Sequence, residues 1–255
     1  PEIVRDIHAD FYAAGAAAVQ TNTFGANRLR LRAQGCEEAV KRSNLRGALL
    51  ALEAKPPNGL VIGSLGPTGA LPPPEGTADL VELEDTFAEQ AMYLAEGGVD
   101  FLHIETLYHP KEARAAIRGC RFGAPDLPVV ASLSCRKSGS GYLTHIGFSA
   151  AALTQVFLEE RVDGVGVNCS MAPADMLDLV EAMSASVPVP VFAQPTIAPS
   201  GKAPLYPAEF AAGVTALFAA GARAAGGCCG TGAADIQTAY EAMHRPHRLP
   251  TTDPM

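Results

Sequence analysis

The stretch VDGVGVNCS, residues 162–170, decides the fold. Val162, Val165 and Val167 make it a short β-branched run, and it closes on Asn168 and Cys169, one polar and one reactive side chain. A compact apolar run of this kind suits a strand buried on both faces of a parallel sheet. The same pattern recurs at 17–24 (AAVQTNTF), 60–65 (LVIGSL), 99–105 (VDFLHIE), 128–133 (PVVASL), 190–194 (PVFAQ) and 222–226 (ARAAG). Alanine-rich amphipathic stretches at 80–96, 110–118, 149–160, 174–185 and 207–220 predict helices between these runs. A further helical spacing, Ile3, Ile7, Phe11 and Ala14, opens the chain. Regular alternation of strand and helix implies parallel strands covered by helices.

An open doubly wound sheet and a closed barrel both satisfy that alternation, and the strand ends separate them. Polar or reactive residues close nearly every run: Thr21 and Asn22, Ser64, Glu105 and Thr106, Ser134, Asn168 and Cys169, Gln194, then Cys228 and Cys229. An open sheet gathers its ligand residues at one switch point, whereas a barrel brings every strand end to one rim. The reading is therefore α/β, a (β/α)8 TIM barrel forming a single domain over 1–255. Seven strands are legible, so the first β-strand is expected upstream of Pro1, in a chain that opens on proline rather than methionine. The proline-rich stretch 68–80 and the stretch 195–207 read as long loops over the rim.

Composition narrows the function. Of 255 residues 48% are hydrophobic and 18% charged, which suits a packed domain, and the net charge of −8 without a basic run excludes an electrostatic footprint for nucleic acid. No apolar run reaches the ~20 residues of a membrane span, and no signal-peptide pattern opens the chain, so a cytoplasmic protein is expected. Six cysteines are too sparse for a disulfide scaffold, and reduced thiols follow.

Three of those thiols stand on strand ends. The vicinal pair Cys228 and Cys229 admits three readings: a metal site, a redox pair, or burial of two small residues. A redox dithiol favours Cys-x-x-Cys spacing, and an adjacent pair closes only a strained ring. Cys169 adds a third thiol that a barrel brings to the same rim, and three protein ligands with one open position describe a catalytic zinc. Gly226, Gly227 and Gly230 are expected to supply the unusual backbone angles that turn both sulfurs toward one ion. His103 reads as a hydrogen-bonded structural histidine, Cys36 and Cys120 as packing residues, and Cys135 as a bystander at the rim.

QTNTFGANRLRL (20–31), GSLGPTGALPPP (63–74), IET (104–106), GVNCS (166–170) and GGCCGT (226–231) occur in order. Together they resemble the zinc-dependent homocysteine S-methyltransferase family, with a pattern nearest the homocysteine-binding domain of cobalamin-dependent methionine synthases. The resemblance implies a barrel whose Zn2+ is held by Cys169, Cys228 and Cys229, and a methyltransferase that activates the homocysteine thiol to give methionine. It also implies that Glu105 receives the substrate amino group, with Thr21, Asn22, Ser64, Gly66 and Asn168 shaping the rim. Partners would be homocysteine or a related small thiol and a methyl donor, with cobalamin and methyltetrahydrofolate supplied through other domains of the same polypeptide. Methyl transfer to another thiol or selenol, a different donor such as betaine or S-methylmethionine, and a non-catalytic zinc barrel remain alternatives. The sequence departs from the family pattern twice. No Asp-Gly-x-x-Gly-Thr segment precedes the first helix, and AQPTIAP at 193–199 stands where a Pro-Asn-Ala-Gly type sequence is usual, with Gln194 and Thr196 as its polar candidates.

Overall fold

The computed structural model describes residues 1–139, 141–199, 201 and 203–244. Its order is α1 (Glu2–Ala13), β1 (Ala18–Gln20), α2 (Arg28–Ala33), a 3-10 turn (Glu37–Ala39), α3 (Val40–Ala54), β2 (Leu60–Leu65), α4 (Leu80–Glu96), β3 (Phe101–Leu107), α5 (Pro110–Gly123) and β4 (Val129–Leu133). There follow β5 (Arg136–Ser138), β6 (Gly141–Leu143), α6 (Ala150–Glu159), β7 (Gly164–Asn168), α7 (Pro173–Ser186), β8 (Val191–Gln194), α8 (Pro207–Ala219), β9 (Ala224–Ala225) and α9 (Ala233–His244). Seven strands form one sheet in the order β1-β2-β3-β4-β7-β8-β9, and every neighbouring pair is parallel. Strands β5 and β6 make a separate antiparallel hairpin.

The sheet curls. Strands β1 and β8 are five places apart in the order, which in a flat sheet at 4.7–4.9 Å per strand would separate them by about 24 Å. Yet the Gln194 amide nitrogen lies 3.1 Å from the Gln20 amide oxygen, and the rings of Phe101 on β3 and Phe192 on β8 meet at 6.2 Å. Side chains of that length can meet only across the inside of a curved wall. Among the described residues the architecture is a TIM-like barrel wall of seven strands, one short of eight, with β1 and β9 as its edges.

Local chemistry fixes the helix starts. Asp79 caps α4 by accepting from the Val81 and Glu82 amides, Ser149 caps α6 through the Ala152 amide, and Pro110 opens α5 behind the His109 cap. The main core lies between the sheet and helices α3 to α7, around Phe87, Leu102, Ile104, Phe157 and Val165. A smaller cluster of Ile197, Phe210, Ala211, Val214 and Ala239 supports α8 and α9.

Several expectations need correction. The first strand contracts from 17–24 to Ala18–Gln20, after which the Thr21 and Thr23 hydroxyls bond to each other and to Ser64, and the last contracts from 222–226 to Ala224–Ala225. The third instead runs on to Leu107, with a register shift between Ile104 and Leu107 and a left-handed Thr106 (φ 63°). Helices α2, α3 and α9 and the β5–β6 hairpin lay outside the predicted elements. Helix α3 opens on a polar run, and its buried Asn44 serves to hold the Ala26 and Val40 carbonyls. In α1, Ile3 and Ile7 are exposed, while Ala14 just beyond it is buried and Phe11 packs on the core. Cys36 is exposed rather than packed, whereas Cys120 is fully buried. Ser200, Lys202 and residues 245–255, which belong to the predicted 195–207 loop and to the 1–255 domain, lie outside the described residues. Among the described residues no helix is long and apolar enough to cross a membrane.

Candidate metal centre and acceptor pocket

At the rim where β7, β8 and β9 end, the Sγ atoms of Cys169, Cys228 and Cys229 all lie within 4.8 Å of one another. Cys169 stands 3.6 Å from Cys229, and Cys228 stands 3.9 Å from Cys229. Tetrahedral coordination at a Zn–S distance near 2.3 Å would place sulfurs about 3.8 Å apart. Two of these spacings match that value, and the donor set suits a thiolate-loving divalent ion.

One segment after β8 holds both halves of this cluster. The Cys169 amide donates to the Gln194 carbonyl (2.9 Å), and the Cys228 amide donates to the Pro195 carbonyl (2.8 Å). The Cys229 carbonyl accepts from the Ile197 amide (3.2 Å) and the Thr196 hydroxyl (2.8 Å). The departure at 193–199 thus supplies backbone scaffolding, with buried Thr196 as its side-chain anchor. Cys169 and Ser170 adopt left-handed angles (φ 61° and 56°), which turn the chain sharply at the strand end. On the other side it is Gly230 that is left-handed (φ 83°); Gly226 and Gly227 are not, so the expectation for those two glycines is not met.

The thiols differ in acidity. Hydrogen bonds from Cys228 first, and from the Ser170 backbone and Cys229, bring Cys169 down to about 5 against its burial. Cys228 is pushed upward by its bond to that thiolate and by burial, and Cys229 by burial and the same charge. A single negative charge is readily placed on the cluster, and further ones need a cation.

Beside the thiols opens a cavity of about 440 Å³ lined by Thr21, Phe24, Ser64, Glu105, Thr106 and the three cysteines, among others. Glu105 is 8% exposed, and burial raises its carboxyl to about 7 in spite of the Ser64 hydroxyl donating to Oε1 at 2.6 Å. Thr23 donates to the Ser64 carbonyl (2.7 Å), and Thr21 lies 2.6 Å from Thr23 while accepting the Ser64 amide (3.0 Å). Two threonine hydroxyls therefore fix the serine that grips the glutamate. At Gly66 any Cβ would strike the Phe24 ring at 2.6 Å, so glycine lets that ring lie along the cavity.

The remaining predicted residues fall elsewhere. Asn22 is exposed and does not line the cavity, because Thr21 and Thr23 on either side turn inward. Asn168 is fully buried beneath the rim, where Oδ1 accepts the Thr106 amide (2.8 Å) and Nδ2 donates to the Thr106 hydroxyl (2.9 Å). It thereby joins the end of β7 to the left-handed turn of β3. His103 is buried and hydrogen bonded, as expected of a structural histidine, and burial lowers its imidazole to about 4. Cys135 is also buried, its thiol pushed up to about 12. No residue of the loop 68–80 lines the cavity; Thr68 and Glu75 are tied instead to Glu112 and His109 of helix α5 and its cap. Gln20, which lines the cavity and touches Glu105, was not anticipated. Its one sequence signal is its place directly before TNTF at a strand end.

Comparison with known proteins agrees with this geometry. The chain is 29% identical over 275 residues to a methionine synthase of Mycobacterium tuberculosis, covering 100% of this chain and 23% of the relative. It is 28% identical over 263 residues to a methionine synthase of Mycobacterium leprae, covering 96% and 21%. It thus spans under a quarter of the length of these relatives. Among solved structures, the metallated form of the homocysteine methyltransferase MmuM from Escherichia coli superposes with a TM-score of 0.76 at 25% identity, over 94% of this chain and 84% of that one. The sequence profile described as Homocysteine S-methyltransferase matches residues 1–243. With three thiols and a buried carboxylate on one rim of an α/β barrel, the chain belongs to the homocysteine S-methyltransferase family.

Proposed function

We propose that this chain binds Zn2+ through Cys169, Cys228 and Cys229 and presents homocysteine as the acceptor in a methyl transfer that yields methionine. The observation that carries the reading is one cavity lined by both the thiol cluster and the buried Glu105. A bound zinc ion would supply the Lewis acidity that ionises an incoming thiol near neutral pH. The residues of the chain do the rest. Cys169, already the most acidic of the three, offers the first thiolate, and Asn168 orients Cys228 through a long contact of 3.9 Å. Glu105 offers a carboxylate to an ammonium group, and that charge would in turn favour its ionised form. Phe11, Phe24 and Ile236 give the same cavity an apolar wall. The donor, whether methylcobalamin charged from methyltetrahydrofolate or another methyl source, would be delivered from outside this barrel. Full coverage of this chain against under a quarter of each methionine synthase supports a role as one module of a longer polypeptide.

The test is a titration of zinc-loaded protein with homocysteine at neutral pH, following heat and proton release. We expect saturable binding with roughly one proton released per thiol bound. Zinc retained without homocysteine binding or proton release would overturn the reading in favour of a non-catalytic zinc barrel.

A further inference from the structure

Inside the barrel, below the rim, a chain of side-chain hydrogen bonds crosses from one wall to the other. Gln194 Nε2 donates to Gln20 Oε1 (3.1 Å), and Gln20 Nε2 lies 2.9 Å from His103 Nδ1 and 3.1 Å from Glu105 Oε1. His103 Nε2 lies 2.6 Å from Ser132 Oγ. The polarity of this chain is forced. An amide NH2 can only donate, so the Gln20 oxygen is committed to Gln194 and both of its N–H bonds point at β3. One serves the imidazole, making Nδ1 an acceptor and leaving the ring proton on Nε2 for Ser132. The other serves the glutamate.

Glu105 Oε1 therefore receives two donors, Ser64 Oγ and Gln20 Nε2. Among the described residues no side chain or amide bonds Oε2, and Oε2 is not among the buried polar atoms without a partner. The carboxylate is held by one oxygen and presents the other. We infer that Gln20 is a positioning residue for the acceptor: by gripping Oε1 it aims Oε2 of Glu105 into the cavity and so sets the preference for a thiol that carries an ammonium group. This rests on the homocysteine reading above. It assigns discrimination to a neutral side chain on the edge strand β1, braced by Gln194 from the far wall.

The experiment compares homocysteine with 4-mercaptobutanoate, which lacks only the amino group, on zinc-loaded wild-type, Gln20→Met and Gln20→Glu proteins. Methionine keeps the length and removes both donors, while glutamate keeps the shape and places a carboxylate oxygen against Glu105. We expect Gln20→Met to weaken homocysteine on the order of tenfold and Gln20→Glu by more, each changing 4-mercaptobutanoate by less than about twofold. Equal losses for both thiols, or none for either, would overturn the assignment. Nitrogen-15 NMR of the metal-free protein gives a reading independent of any thiol. Wild-type His103 should be neutral with its proton on Nε2, and its Nδ1 shift should move in Gln20→Met. A proton on Nδ1 would refute the clamp itself, whereas wild-type protein that binds neither thiol while keeping the Nε2 tautomer would refute the homocysteine reading and leave the clamp standing.

Discussion

The two ends of the cavity are built by opposite means. At the thiol end Cys169 and Cys228 are half-buried and Cys229 is exposed, their sulfurs meet one another and one long contact from Asn168, and main-chain bonds to the 194–197 segment place them. At the carboxylate end Glu105, Ser64, Thr21, His103 and Ser132 are all buried, and side chains hold side chains. A metal ligand needs its sulfur free for the ion, so backbone has to do the holding. A charge receptor needs one oxygen free and the other fixed, which buried donors accomplish. The first end should thus tolerate loss of its side chains in folding but not in binding, and the second should feel substitutions in both.

The largest effect expected from that contrast is at Cys228→Ser. Zinc content after dialysis should fall from roughly one per chain to a small fraction, with homocysteine-dependent activity down by about 10³ or more, because an open three-ligand site has no spare donor. The metal-free variant should melt within about 3 °C of metal-free wild type, since its main-chain bonds survive. Metal analysis and calorimetry check both halves, and a collapse of the metal-free protein would erase the contrast.

Next in size is a pH effect at the carboxylate end. His103 is lowered from 6.5 to about 4, so its contribution to stability is full above pH 6.5 and is lost as pH falls through 4. Glu105 is raised from 4.5 to about 7, so its contribution is full below pH 4.5 and is lost as pH rises through 7. Each displacement corresponds to about 3 kcal/mol, and over pH 4–7 they oppose one another. The metal-free wild type should therefore show little pH dependence from this pair. Glu105→Gln removes one of the two, so on acidification from pH 7 to 4 the variant should lose about 3 kcal/mol more than wild type, measured by urea unfolding. A slope no steeper in the variant than in wild type would show that the two groups are not buried as described.

The smallest effect is at Gly230→Ala, where a φ of 83° and a Cβ placed 2.7 Å from Ile197 Cγ2 strain the thiol loop. A loss of about 1–2 kcal/mol is expected, with weaker zinc binding and an unchanged ratio of homocysteine to 4-mercaptobutanoate affinity. A shifted ratio would mean that the two ends are coupled rather than separately built.

The thiol end was the legible one. Cysteine is scarce in this chain, and three of its six stand at strand ends, so residue type and position alone pointed to them. Glu105 was legible for the same reason, as a carboxylate closing an apolar run. Gln20 was not, because glutamine at a strand end has no chemistry of its own and its partners lie 83, 85 and 174 residues away. Asn168 was placed at the rim but works beneath it, joining β7 to β3, since period-two alternation tells which residues share a face and not what that face meets.

What the sequence by itself determined is therefore the parallel α/β alternation, the convergence of strand ends and the three thiols that meet on one rim, all of which follow from local pattern and rare residue types. The tertiary structure alone decided how far the sheet curls, which backbone positions go left-handed (Thr106, Cys169 and Ser170 rather than Gly226 and Gly227), and which side chains hold Glu105. Those depend on contacts between strands far apart in the chain, and no local preference of an amino acid encodes the partner it meets across a barrel.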